Sequence, residues 1–203
     1  TGNNAIIVSP GAAANINDDD ITANKELIQG SRVFMTQLEQ SLDSAGTALS
    51  FAKDGGAITI LNPAPAQPLG ENILKLCDFV TPNEIEAEQI TGIPVKSIND
   101  AEIAAGKLLE EGASAAVITL GEQGALFKDN NQIIHQPSYE VGPVVETTGA
   151  GDAFNGGLAV ALAEEMPIDK ALRFACATAS ISVTRQGTAP SMPDRHEIDT
   201  LIK

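Results

Sequence analysis

The chain has 203 residues, 43% hydrophobic and 19% charged, a composition that suits a globular protein able to bury a sizeable core. With 12 basic and 27 acidic residues its net charge is −15, which disfavours binding to nucleic-acid backbones or anionic membrane surfaces. No run of 18 apolar residues occurs, so no transmembrane helix is expected, and no signal peptide is recognisable.

Aromatic residues are scarce, at 3%, so the core must rest on Ala, Ile, Leu and Val. Cys77 and Cys176 sit in apolar surroundings without CxxC spacing and read as buried, reduced thiols, which fits a cytoplasmic location. The chain opens Thr1-Gly2-Asn3-Asn4 and runs almost at once into an apolar strand, as expected of a piece of something longer.

In chain order, a strand is expected over 5–8 and a helix from Asp18-Asp19-Asp20 to about Gln29, closed by Gly30. That acid run is explained by the helix dipole rather than by metal binding. A strand over 32–38, a helix over 41–53 ended by Gly55-Gly56, and a strand over 57–61 follow, then a Pro-rich Asn62-Pro63-Ala64-Pro65-Ala66 loop. Phe79 and Val80 lead into Thr81-Pro82-Asn83, which opens a helix to about Thr91; another helix spans about 99–111 and a strand 115–119. Residues 125–128 and 132–135 read as an antiparallel ribbon, and helices are expected over 152–164, 169–185 and from Asp194. The alternation predicts one α/β domain over 1–203. It is a three-layer αβα arrangement with a mostly parallel, Rossmann-like sheet and an antiparallel hairpin at one edge. His135 and His196 read as surface or packing residues.

The strongest chemical signal is Glu146-Thr147-Thr148-Gly149-Ala150-Gly151-Asp152 entering an apolar helix. Such a turn leaves the first helical N–H groups pointing outward, and with the helix dipole they form an anion hole suited to phosphate. A carboxylate at Asp152, beside a bound phosphate, is unfavourable unless it deprotonates an attacking hydroxyl. A capping acid after a tight turn is the blander alternative. Asn83 and Glu86, one helical turn apart, are suited to Mg²⁺ and its waters, or equally to a capping box. Thr119-Leu120-Gly121-Glu122-Gln123-Gly124 follows a strand and is either a ligand loop or a plain β-turn.

These segments together resemble the ribokinase-type carbohydrate kinase family. Residues 147–157 are similar to its D-T-x-G-A-G-D signature, 81–87 to its N-x-x-E segment and 119–124 to its T-x-G-x-x-G loop. The resemblance implies ATP-dependent phosphorylation of a sugar, with Asp152 as base and Gly149, Ala150 and Gly151 holding the transferring phosphate. Asn83 and Glu86 would hold Mg²⁺, and Thr119, Gly121 and Gly124 would line ATP. It also implies an activating monovalent cation, K⁺, on backbone carbonyls near Glu146, Thr148, Ser182, Arg185, Gly187 and Ser191. Glu146 stands where the family usually has Asp.

The segment 35–39 and the NPAPA run resemble the ribose-phosphorylating members rather than those acting on fructose or adenosine. By that likeness Glu39 accepts hydrogen bonds from D-ribose, a role that suits a buried carboxylate, and Asp152 would activate the ribose 5-hydroxyl; an exposed acid at a strand end is the blander reading of Glu39. The resemblance covers the later two-thirds of such a kinase and omits about 100 residues bearing its lid and a G-G-x-x-A-N sugar motif. On that reading the chain is a truncated kinase with impaired sugar binding, an exposed sheet edge and no lid-mediated dimer. A nucleotide-binding fragment without catalysis, or a kinase of the same family with another acceptor, are the alternatives.

Overall fold

The computed structural model describes residues 11–203, and the strand expected over 5–8 lies outside them. The helix expected over 18–29 is two helices, α1 (Asp18–Ala23) and α2 (Lys25–Gln29). They break at Asn24, whose φ of −107° and ψ of 13° leave the helical well. Asn17 is the N-cap in place of the acid run. Its side chain accepts from the N–H groups of Asp19 and Asp20, and Asp20 returns the bond to the Asn17 N–H.

β1 (Val33–Thr36) leads to α3 (Leu42–Asp54), which Ser41 caps by accepting the Ser44 N–H at 3.1 Å. β2 (Ile58–Leu61), a short α4 (Glu71–Leu74) and β3 (Phe79–Val80) follow. Then come α5 (Glu84–Thr91), α6 (Ile98–Glu110) and β4 (Ala115–Thr119). The ribbon is β5 (Ala125–Asp129) and β6 (Ile133–Gln136); the Asp129 N–H donates to the Gln132 carbonyl at 3.1 Å and closes its turn. The chain ends with α7 (Ala150–Ala163), α8 (Ile168–Ser182) and α9 (Arg195–Leu201).

The six described strands form one sheet in the order β1-β2-β3-β4-β5-β6. β1 to β4 are parallel, with Val33 opposite Ile58, Ile60 opposite Phe79, and Phe79 opposite Ala115. The three crossovers from β1 to β4 all step in one direction along the sheet. Parallel strands also end on one edge. Glu39, Asn62 and Asn83 follow the ends of β1, β2 and β3, and Thr119 ends β4. Ligands of open parallel sheets bind outside that edge.

The described residues cluster into two compact units. In the unit made of 11–118 and 126–133, Leu49, Ile60, Leu61, Leu74, Leu108 and Ile118 are fully buried. Each contributes about 1.5–3 kcal/mol by leaving water. At the opposite ends of β2 and β3, Asp78 accepts the Thr59 N–H at 2.9 Å and its hydroxyl at 3.1 Å, and pairs with Lys53 at 3.0 Å.

The unit made of 119–125 and 134–203 is centred on α7 against α8. The helices approach so closely that a Cβ on Gly157 would lie 2.7 Å from the Thr178 hydroxyl and 3.0 Å from the Ala175 Cα. α9 is held by Arg195, which pairs with Glu164 at 2.6 Å and Asp199 at 2.9 Å and lies 4.9 Å from the Phe174 ring centroid.

Candidate active site

The glycine turn forms as the sequence predicts, with one change. Gly149 is the N-cap of α7 at φ 82°, a left-handed conformation that costs glycine little. The side chain of Thr188 packs against it: a Cβ at Gly149 would sit 3.3 Å from the Thr188 Cβ and Cγ2. The Ala150 N–H is turned back onto the Thr147 carbonyl at 3.1 Å and so is not the outward-pointing donor expected from the sequence. Beyond it, Gly151 is exposed, and a Cβ there would meet nothing within 4 Å. Its peptide edge is open to a ligand. Asp152 is exposed in the first turn, and Asn155, one turn on and buried, donates to the Gly151 carbonyl at 3.0 Å.

Behind this turn two distant segments converge. The N–H groups of Val145 and Glu146 both donate to the Val183 carbonyl, at 2.8 and 3.2 Å. The Glu146 carboxylate accepts the Gly187 N–H at 2.8 Å, where Gly187 is left-handed at φ 85°. Ser182 and Ser191 are buried, and their hydroxyls donate to the carbonyls of Ala179 and Thr188 at 2.8 and 2.6 Å. Arg185 forms an ion pair with Glu197. The helix expected over 169–185 ends at Ser182, because the chain turns there toward 145–146.

The loop after β4 is a 3₁₀ turn over Gly121–Gln123, with Gly121 at φ 53° and Gly124 at φ 91°. The Leu120 N–H donates to the Gly124 carbonyl at 2.8 Å. His135 braces the turn by donating from Nε2 to the Gln123 carbonyl at 2.7 Å, and Ser138 donates to the Glu122 carbonyl at 2.5 Å.

Asn83 and Glu86 form a reciprocal capping box at the start of α5. The Asn83 N–H donates to Glu86 Oε2 at 2.9 Å, and the Glu86 N–H to Asn83 Oδ1 at 2.9 Å. Burial pushes the Glu86 carboxyl above the ordinary carboxylate range, against the lowering effect of the Asn83 hydrogen bonds. The box occupies one carboxylate oxygen, so the capping and ligand readings are compatible. Among the described residues no group of three or more His, Cys, Asp and Glu side chains is placed to hold a metal. A Mg²⁺ ion bound by one or two protein oxygens, waters and phosphates needs no such group.

Of the two readings of Glu39, the structure has the exposed acid at a strand end. It is exposed, in the bend after β1, because Leu38 rather than Glu39 turns into the core. Asn62, the first residue of the NPAPA run, is a buried polar residue at this edge. Its side chain donates to the Thr81 carbonyl at 2.8 Å and accepts from Gln37 at 2.9 Å. No helix among the described residues is long and apolar enough to cross a membrane.

Comparison with known proteins shows the family. Residues 1–195 match the family described as pfkB family carbohydrate kinase. A ribokinase of Haemophilus influenzae is 38% identical over 196 residues, covering 96% of this chain and 63% of that protein. A deoxyribokinase of Salmonella typhi is 35% identical, covering 98% and 65%. Among solved structures, Arabidopsis thaliana ribokinase complexed with ribose and ATP aligns with a TM-score of 0.89 at 30% identity, covering 99% of this chain and 65% of that one. Ribokinase from Thermotoga maritima aligns with a TM-score of 0.86 at 36% identity, covering 99% and 66%. The chain thus spans just under two thirds of the length of the curated relatives it matches. The match over 1–195 shows that the chain belongs to the pfkB family of carbohydrate kinases.

Proposed function

We propose that this chain binds Mg-ATP and moves its γ-phosphoryl group onto a sugar hydroxyl, with D-ribose as acceptor and ribose 5-phosphate as product. The observation that carries the proposal is the start of α7, where a left-handed Gly149 and an unobstructed Gly151 precede an exposed Asp152. The open peptide edge of Gly151 and the positive end of the helix dipole stabilise charge on the transferring phosphoryl oxygens. Asp152 accepts the proton of the attacking hydroxyl, a contribution of about 10²–10⁴ in rate. Glu39 orients the sugar through its hydroxyls, and its exposure leaves the carboxylate free to meet a ligand from solvent.

Thr119, Gly121 and Gly124 line the nucleotide. Asn83 and Glu86 are the residues that would hold Mg²⁺, which when bound offsets charge on the phosphates. The segments around Glu146, Thr148, Ser182, Arg185, Gly187 and Ser191 would hold a monovalent cation through backbone oxygens, the donor class such an ion takes. Their convergence at Glu146 and Gly187 fits that role.

Ribose is favoured by the Haemophilus influenzae and Arabidopsis thaliana relatives, and 2-deoxyribose is the second reading, favoured by the deoxyribokinase relative. A coupled ADP-release assay with Mg-ATP and K⁺ against ribose, 2-deoxyribose, fructose 6-phosphate and adenosine separates them. Highest kcat/KM with ribose supports the proposal, and a faster reaction with another acceptor reassigns the substrate. ATP binding without release for any acceptor leaves a nucleotide-binding chain and contradicts the kinase reading.

A further inference from the structure

Three loops leave the C-terminal ends of β1, β2 and β3, and one buried amide touches two of them from the third. Asn62 directly follows β2 and is 8% exposed. Its Nδ2 donates to the Thr81 carbonyl at 2.8 Å and its Oδ1 accepts from Gln37 Nε2 at 2.9 Å. The Thr81 carbonyl can only accept, so the amide nitrogen must face it and the oxygen is left for Gln37.

Each bond ends in a segment with a proposed role. Gln40 donates to the Gln37 carbonyl at 3.0 Å, which closes the turn that carries Glu39, and the Leu38 N–H donates to the Ala64 carbonyl at 3.0 Å. On the other side, Thr81 is buried and lies two residues before Asn83, which caps α5 over Glu86. Backbone bonds from Asn62 to Thr36 and from Thr81 to Leu61, at 3.0 and 2.9 Å, already align the strand ends. The side-chain amide is therefore not needed for register. A buried amide is costly unless both its ends are partnered, and here the two partners belong to different loops.

We infer that Asn62 is a positioning residue that fixes the acceptor-binding turn at Glu39 and the helix cap at Asn83 and Glu86 to one another. The inference rests on the roles proposed above for those three residues. Asn62→Asp keeps an acceptor for Gln37 but sets a carboxylate oxygen against the Thr81 carbonyl, whereas Gln37→Leu removes the arm toward Glu39 and leaves the bond to Thr81.

Three measurements on the full chain test it: amide hydrogen exchange, calorimetric titration with Mg-ATP in the absence of acceptor, and the KM for ribose. Asn62→Asp is expected to speed exchange over 83–87 and to weaken Mg-ATP binding and raise the ribose KM by about fivefold or more each, the size of one lost hydrogen bond. Gln37→Leu is expected to raise the ribose KM by a similar factor while Mg-ATP affinity stays within about twofold. A role confined to folding would lower kcat through fewer active molecules and leave Kd and KM unchanged, and that result overturns the inference. Should Asn62→Asp not fold, an unchanged ribose KM in Gln37→Leu overturns it. A wild-type chain that binds no Mg-ATP overturns the functional reading along with it; a binding wild type with unaffected variants overturns the inference alone.

Discussion

Glu146 Oε2 accepts a hydrogen bond from the Gly187 N–H at 2.8 Å across 41 residues of chain. The bond ties the segment entering the glycine turn to the loop leaving α8, and the next residue, Thr188, packs on Gly149. Glu146 therefore braces the turn that presents Asp152. A bond to a charged acceptor contributes about 1.5–3 kcal/mol, so Glu146→Ala is expected to destabilise the chain by that amount in urea unfolding. Glu146→Gln retains an acceptor oxygen and should lose less than half as much.

Gly151 separates folding from binding. A Cβ there meets nothing within 4 Å, and alanine is favoured over glycine in a helix by roughly 0.5–1 kcal/mol. Gly151→Ala should melt at the same temperature or higher. If a phosphate approaches this peptide edge, the same methyl group should weaken Mg-ATP binding by about tenfold or more in calorimetry.

Gly124 is constrained in the opposite way. Its φ of 91° and ψ of −126° exclude side chains, and a Cβ would collide with the Gln136 carbonyl and lie 2.6 Å from the Ser138 N. Gly124→Ala is expected to cost about 3 kcal/mol of stability, read from the denaturation midpoint, and to displace the loop over 119–124.

Burial pushes the thiols of both Cys77 and Cys176 from 9.0 up to about 12. Each stays protonated in the folded chain at a pH where the unfolded thiol ionises. Their contribution to stability is thus fully present below about pH 9 and is lost as pH rises toward about 12. Urea midpoints should fall across that window, and substitution of both residues by Ala should flatten the decline. A disulfide-exchange reagent at neutral pH should label neither thiol until the chain unfolds.

Elements bounded by strong local signals were legible from the sequence. Ser41 and Gly55 bracket α3, Asn83 opens α5, and the apolar run 115–119 is β4 to the residue. Segments governed by distant partners were not. α4 has four residues after a Pro-rich stretch, too few to show a period, and the break at Asn24 leaves no mark stronger than an ordinary helical asparagine. At the candidate site, the glycine turn was legible because its chemistry is local. The inward turn of the Ala150 N–H, the exposure of Glu39, the bridge at Asn62 and the brace from Glu146 to Gly187 depend on neighbours 3 to 41 residues away or on which side of a bend faces solvent.

Phosphoryl transfer with Asp152 as base is tested most directly by ribose-dependent ADP release from wild type and Asp152→Ala, with Mg-ATP binding measured on both. Asp152 is exposed, so the substitution should leave the fold and nucleotide affinity intact. Release is expected to fall by about 10²-fold or more in the variant while ATP binding persists. Equal release from both proteins would contradict that role for Asp152.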